Sequence, residues 1–213
     1  VSSDPMNDAQ RVLLNFARRA FRRAVSVSDV EPFMLVVKEK LEAGYSFEQA
    51  LRVGLKGILV APQFLFLNEA PGKLDDFALA SRLSYFLWST MPDEVLSQLA
   101  QDGKLRSPGI LAEQTRRMIK DPKAWQFIEQ FSEQWLELDR LQRVTVNKGK
   151  YPGFNDQLAA AMRQETFHFF AHLLRNDLGI LNFLESDFTF VNEILGRHYG
   201  MTDVRGPEFR LVR

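Results

Sequence analysis

Asn155-Asp-Gln-Leu-Ala-Ala-Ala-Met-Arg-Gln-Glu-Thr-Phe-His-Phe-Phe-Ala-His-Leu-Leu-Arg175 is the longest helical stretch of the sequence. Loop signals precede it at Gly149, Pro152 and Gly153. Within it Phe167 and Phe170 recur at helical spacing, and Glu165, His168 and His172 stand at i, i+3 and i+7 on one face. The spacing predicts a single helix over about residues 155–175. Working outward, Asp121-Pro122 opens an earlier helix that carries Trp125, Ile128, Phe131, Trp135 and Leu138 at the same period. Downstream, short helices are expected over 180–184 and 191–199, with Asp187 near the start of the latter, Gly200 as a C-cap and an irregular tail from Met201 to Arg213.

The N-terminal third repeats the pattern. Leu13, Phe16, Ala17, Ala20, Phe21 and Ala24 share one face of a helix over about 8–24, and Arg18, Arg19, Arg22 and Arg23 lie opposite. Ser28 reads as the N-cap of a second helix with Pro32 in its first turn, closed by Gly44. Ser46 and Gln49 have capping-box spacing and open a third, which runs to Ala61 before Pro62. Asn68 to Lys73, with Pro71 and Gly72, reads as a linker. Asp75 or Asp76 starts the next helix, and Pro92 and Ser107-Pro108 open two more. No internal repeat appears and no strand pattern survives beyond a few residues. The chain is therefore expected to be all-α: roughly nine to ten helices in two packed helical subdomains, a three-helix one over 1–67 and a larger one over 74–213.

Composition excludes more than it selects. The 27 basic and 27 acidic side chains among 213 residues cancel, so no global field favours nucleic acid or an acidic membrane surface. The absence of cysteine excludes disulfides, zinc fingers, thiol nucleophiles and covalent c-type haem attachment in this chain. No apolar run approaches the roughly 20 residues that span a bilayer; the longest, Gly57 to Leu67, is broken by Pro62 and Gln63. The 18 phenylalanines are the unusual feature. Phe86, Trp88, Trp125, Phe131, Trp135, Phe167 and Phe170 are expected to fill the core, because such rings bury large area with little or no polar group to satisfy. Phe64, Phe66 and Phe77 flank the linker and are the candidates for an interaction seam between the two helical groups.

Few residues point to chemistry. Glu165 and His168, with His172 beyond, have the spacing of half a di-iron carboxylate site. No second Glu-x-x-His exists, and completing the site would require acidic ligands such as Glu129 or Glu133. The competing reading leaves both histidines at the edge of an amphipathic helix, bonded to water or nearby carboxylates. No metal or cofactor is expected in this chain; if it were catalytic, Glu165, His168 and His172 would be the residues involved, with Arg163 as an anion contact. His198 sits at a predicted helix C-terminus, where a cation meets the negative end of the helix dipole. The arginine run at 18–23 reads as a solvated face neutralised by Asp8, Asp29 and Glu31.

Several stretches together carry a resemblance. Phe16-Ala-Arg-Arg-Ala-Phe-Arg-Arg23, Ser46-Phe-Glu-Gln-Ala-Leu51 and Ile58-Leu-Val-Ala-Pro-Gln-Phe-Leu65 resemble the domain-of-unknown-function family numbered 1595. Leu79-Ala-Ser-Arg-Leu-Ser-Tyr-Phe-Leu-Trp-Ser-Thr-Met-Pro-Asp-Glu94 resembles family 1592, as do Phe131-Ser-Glu-Gln-Trp-Leu136, Arg163-Gln-Glu-Thr-Phe167, Phe188-Thr-Phe-Val-Asn192 and His198-Tyr-Gly200. The resemblance covers about 8–67 and 74–200. It implies a large, exported, multidomain protein of planctomycete type, in an extracytoplasmic (periplasmic or cell-surface) setting, with a cytochrome-c-like domain elsewhere. Any haem c would then belong to a partner domain or chain. Because the sequence begins with Val1 and stops at Arg213, it is expected to be a segment of such a polypeptide. The function expected on this basis is a helical docking or structural module without chemistry of its own. The alternative is part of a periplasmic oxidoreductase that acts on a carbohydrate or other organic substrate and passes electrons to cytochrome c.

Overall fold

A computed structural model describes residues 4–66 and 72–213. Most of the expected linker, residues 68–71, lies outside the described residues. The fold is all-α with one small sheet. Contacts divide the chain into two compact units, Val1–Gln114 and Thr115–Arg213.

The first unit begins with three helices: α1 (Pro5–Phe21), α2 (Val27–Glu42) and α3 (Phe47–Val60). Their inward residues, including Leu13, Ala17, Val30, Val37, Ala50 and Ile58, form one buried cluster. Each start has a local cause. Asp4 accepts the Asn7 backbone N–H at 3.1 Å. Ser46 and Gln49 exchange hydrogen bonds as the capping box predicts. The second cap differs from expectation: Ser26, not Ser28, precedes the helix, because the Asp29 carboxylate accepts the Ser26 backbone N–H at 2.8 Å. Pro32 consequently lies inside α2 rather than in its first turn. α1 also stops earlier than the pattern suggests, since Arg22 turns left-handed at φ 52°. α3 presses close to its neighbours at Gly54, where a Cβ would stand 2.7 Å from Val37 Cγ2.

A short α4 (Pro62–Leu65) follows. α5 (Asp76–Trp88) starts on the cap of Asp75, which accepts the Ala78 N–H at 2.7 Å. The next residue, Asp76, is buried, accepts the Leu105 N–H at 2.8 Å and binds the Arg106 side chain. That carboxylate ties the start of α5 to the chain that leaves α6 (Glu94–Gln101). α7 (Pro108–Lys120) spans the point of division.

The second unit is built around α10. α8 (Trp125–Leu136), the short α9 (Arg140–Arg143) and α10 (Asp156–Arg175) are followed by β1 (Thr189–Val191), α11 (Glu193–His198) and β2 (Arg210–Val212). Asn155 caps α10 by accepting the Leu158 N–H at 3.0 Å, so the helix begins where the sequence places it. Two clusters lie along α10. Ile128, Phe167 and Ala171 form one, and Leu158, Ala161, Val191, Leu195 and Val204 the other.

The C-terminal end departs from expectation. The tail is not wholly irregular: β2 pairs antiparallel with β1, Phe190 opposite Leu211. The last helix begins at Glu193 rather than near 191, capped by Asn192 through the Leu195 N–H at 3.1 Å, and Asp187 plays no part in starting it. Two three-residue strands far apart in sequence give no readable alternation, which is why the pattern missed them. Gly196 packs so close to Val204 that a Cβ would stand 2.8 Å from Val204 Cβ.

Candidate functional site

The face of α10 singled out by its Glu and His residues is covered by the small sheet and α11. Glu165 is fully engaged: one carboxylate oxygen accepts the Thr189 hydroxyl at 2.5 Å and the other the Tyr199 hydroxyl at 2.8 Å. The Tyr199 phenol is pushed up to about 12, first by burial and then by its hydrogen bond to the Glu165 carboxylate.

His168 stands among rings. Phe209 stacks on it at 4.8 Å, Phe190 at 5.9 Å, and Trp125 tilts against it at 5.0 Å. Burial, with a lesser push from the Arg175 charge, holds its pKa below the ordinary imidazole range. A neutral, ring-packed imidazole is the result. His172 sits one turn on, 5.4 Å from the same Phe190, and the Asn176 amide donates to its backbone carbonyl at 2.8 Å.

Arg163 points to the other side, toward α8. Its Nη2 donates to both oxygens of Glu133, at 2.7 and 2.5 Å, and the guanidinium lies 5.7 Å from the Phe167 ring centre. Glu129, the other acidic candidate, accepts the Trp125 indole N–H at 2.7 Å. Arg163 and Glu133 are thus committed to the packing of α10 on α8, Glu129 to a bond within α8, and Glu165 to the sheet and α11. Among the described residues, no group of three or more His, Asp or Glu stands where it could hold a metal ion. His198 is exposed at the end of α11 with Tyr199 beside it.

The three candidate seam phenylalanines all fall in the first unit. Phe64 packs on the three-helix core, Phe66 is exposed and Phe77 is half-buried in α5. Arg22 gathers this region. Its Nη2 donates to the carbonyls of Phe64 and Phe66 at 3.0 and 3.3 Å, and its guanidinium lies 5.8 Å from the Tyr85 ring centre.

A second surface was not foreseen. Trp88 and Phe167 are buried as expected, but Phe131 and Trp135 are 41% and 44% exposed, and Phe86 is exposed as well. Trp135 meets Phe183 edge-on at 5.0 Å, and Phe131 stacks on Phe170 at 5.4 Å. Phe183 belongs to a 3-10 turn, Ile180–Phe183, whose neighbours Leu181 and Leu184 are 72% and 86% exposed. The second unit therefore carries aromatic rings that are packed on one side and open on the other, one of them contacted by Phe183 of a turn with exposed leucines. The signal available in sequence was the apolar run Leu178-Gly-Ile-Leu-Asn-Phe-Leu184, too short for a long helix.

Comparison with known families decides the affiliation. The sequence model of the family PSD4, "Protein of unknown function (DUF1592)", matches residues 74–201. The chain belongs to that family. The model of PSD5, "Protein of unknown function (DUF1595)", matches residues 8–69. Both are the families whose motifs the sequence carries, over nearly the same residues. No curated protein and no solved structure matches the chain. Among the described residues no helix is long and apolar enough to cross a membrane.

Proposed function

We propose that this chain is a helical docking module of an exported, cytochrome-c-linked multidomain protein or complex, with no chemistry of its own. The observation that supports this reading is the open aromatic surface of Phe131 and Trp135, joined by Phe183 from a turn whose Leu181 and Leu184 are exposed. Large exposed rings bordered by aliphatic side chains are characteristic of protein interfaces. The proposed occupant is an apolar face of a haem-c-bearing domain or chain of the same assembly. The extracytoplasmic setting and the haem partner come from the family resemblance and belong to the proposal. The oxidoreductase alternative would draw on Glu165, His168, His172 and Arg163. It is disfavoured because Glu165 and Arg163 are already bonded within the fold.

The test is purification of the chain from its native source with its absorption spectrum. The expected result is haem absorbance co-eluting at a fixed ratio, lost when Trp135→Ala and Leu184→Ser are introduced together. Elution without haem, or a partner that the double variant retains, overturns the proposal.

A further inference from the structure

A second feature lies in the first unit and is independent of the aromatic surface. A cavity of about 580 Å3 opens beside the C-terminal end of α1. Arg18, Arg19, Arg22 and Arg23 line it, with Glu94 the acidic residue of its wall among the described residues. Arg23 is neutralised by Asp29, whose carboxylate it reaches at 2.6 Å. Arg22 is held by neutral carbonyls and has no acidic partner among the described residues. Arg18 and Arg19 are exposed and make no ion pair with a described residue. Basic residues in the last turn of α1 complement the helix dipole. With Arg23 answered by Asp29 and Glu94 in the wall, the described lining keeps an excess of positive charge although the whole chain is neutral.

The remaining wall is polar and sparsely bonded. Asn15, Ser97 and Gln101 face the cavity and their side chains make no hydrogen bond to a described residue. Gln98 gives its amide N–H to Asp102 and keeps its oxygen free as an acceptor. Phe77, Ala80 and Pro92 supply an apolar part of the lining. The size is that of a small-molecule site. Guanidinium forks match carboxylate and phosphate oxygens in paired geometry. Unpaired amide and hydroxyl groups match alcohol hydroxyls, which both donate and accept.

We infer that this cavity binds a small organic oxyanion with a hydroxylated body: the phosphate or carboxylate lies on Arg18, Arg19 and Arg22, and the hydroxyls along Asn15, Ser97 and Gln101. The ligand is small because the walls enclose it on several helices, and anionic because no described residue answers the charge there.

Isothermal titration of the full chain tests this with four probes: glucose 6-phosphate, gluconate, inorganic phosphate and glucose. At least one of the two anionic polyols is expected to bind with a Kd of about 1 mM or tighter. It should bind at least about fivefold more tightly than inorganic phosphate, and its affinity should fall when salt is raised. Whichever polyol binds better identifies the head group as phosphate or carboxylate. The double variant Arg18→Ala/Arg19→Ala removes two exposed, unpaired side chains and should keep the melting temperature while weakening binding about tenfold or more. Ser97→Leu leaves every guanidinium in place and should reduce the polyol's advantage over inorganic phosphate to below about twofold. The inference is overturned if neither polyol binds tighter than about 10 mM. It is also overturned if the double arginine variant binds undiminished, or if inorganic phosphate binds as well as the polyols.

Discussion

Tyr199 donates its hydroxyl hydrogen to Glu165 at 2.8 Å, and so fastens the end of α11 to the middle of α10. The second oxygen of that carboxylate holds Thr189 of β1. One side chain of the long helix thereby positions both elements packed over it, which makes Glu165 an organiser of the fold.

The pH dependence of that contact follows. The folded phenol sits at about 12, above its ordinary value of 10.0. A raised pKa means the folded chain keeps a proton that the unfolded chain gives up, so the contribution is whole below pH 10 and is lost as pH rises toward 12. Subtracting the ultraviolet titration of Tyr199→Phe from that of the wild type should leave a single tyrosinate step at about 12. A difference step at the ordinary value would contradict the contact.

Asp75 and Asp76 are neighbours with unequal roles. Asp75 caps an exposed turn, and its replacement by Ala should cost about 1 kcal/mol. Asp76 is buried and bonds Leu105 and Arg106, so Asp76→Ala should cost about 2 kcal/mol or more by leaving the buried Leu105 N–H unpaired and removing the Arg106 contact. Urea melts of the two variants compare them directly. Equal losses would mean that the buried carboxylate adds nothing beyond a cap.

His168 should titrate below the ordinary value of about 6.5, because Trp125, Phe190 and Phe209 exclude water from it and Arg175 opposes its charge. A lowered pKa means the unfolded chain takes up the proton first. Stability from this residue is present above about pH 6.5 and falls as pH drops through the folded value. Proton NMR of the three imidazoles, with Phe209→Ala as the variant that admits water, gives the midpoint. A His168 midpoint at or above that of a free imidazole would show that the rings do not shield it.

Two glycines test packing against propensity. Ala is favoured over Gly inside a helix by about 1 kcal/mol. At Gly54 that gain is overridden, because a Cβ meets Val37 Cγ2 at 2.7 Å, and Gly54→Ala should lower stability by about 1 kcal/mol net. At Gly109, where no atom stands within 4 Å, the same change should raise it. A Gly54→Ala protein that melts higher than wild type would show that α3 does not pack as closely as described.

Legibility in the sequence followed the range of the interaction. Helix starts were readable because the signals are local: Asn155 reaches only to Leu158, and Ser46 only to Gln49. Ser28 was the wrong serine because the choice depends on which one Asp29 reciprocates. The β1–β2 pair was invisible, since Phe190 finds Leu211 only after the chain has folded back. The Glu165–His168–His172 face was correctly placed on one helix, but its Thr189 and Tyr199 partners lie beyond the reach of periodicity. Helical spacing likewise puts Ile128 and Trp135 on the same helix without revealing that Ile128 is buried and Trp135 is not. Exposure depends on which neighbours arrive, and a single sequence does not record that.

Trp135 is the residue on which the docking proposal is most exposed to test. Hydroxyl-radical footprinting should be carried out on the isolated chain and on the assembly purified from its native source, with the oxidation rate of each tryptophan read by mass spectrometry. Docking through this surface predicts that Trp135 is modified readily in the isolated chain and protected severalfold or more in the assembly, while buried Trp88 reacts slowly in both. Equal modification of Trp135 in the two samples would contradict the account.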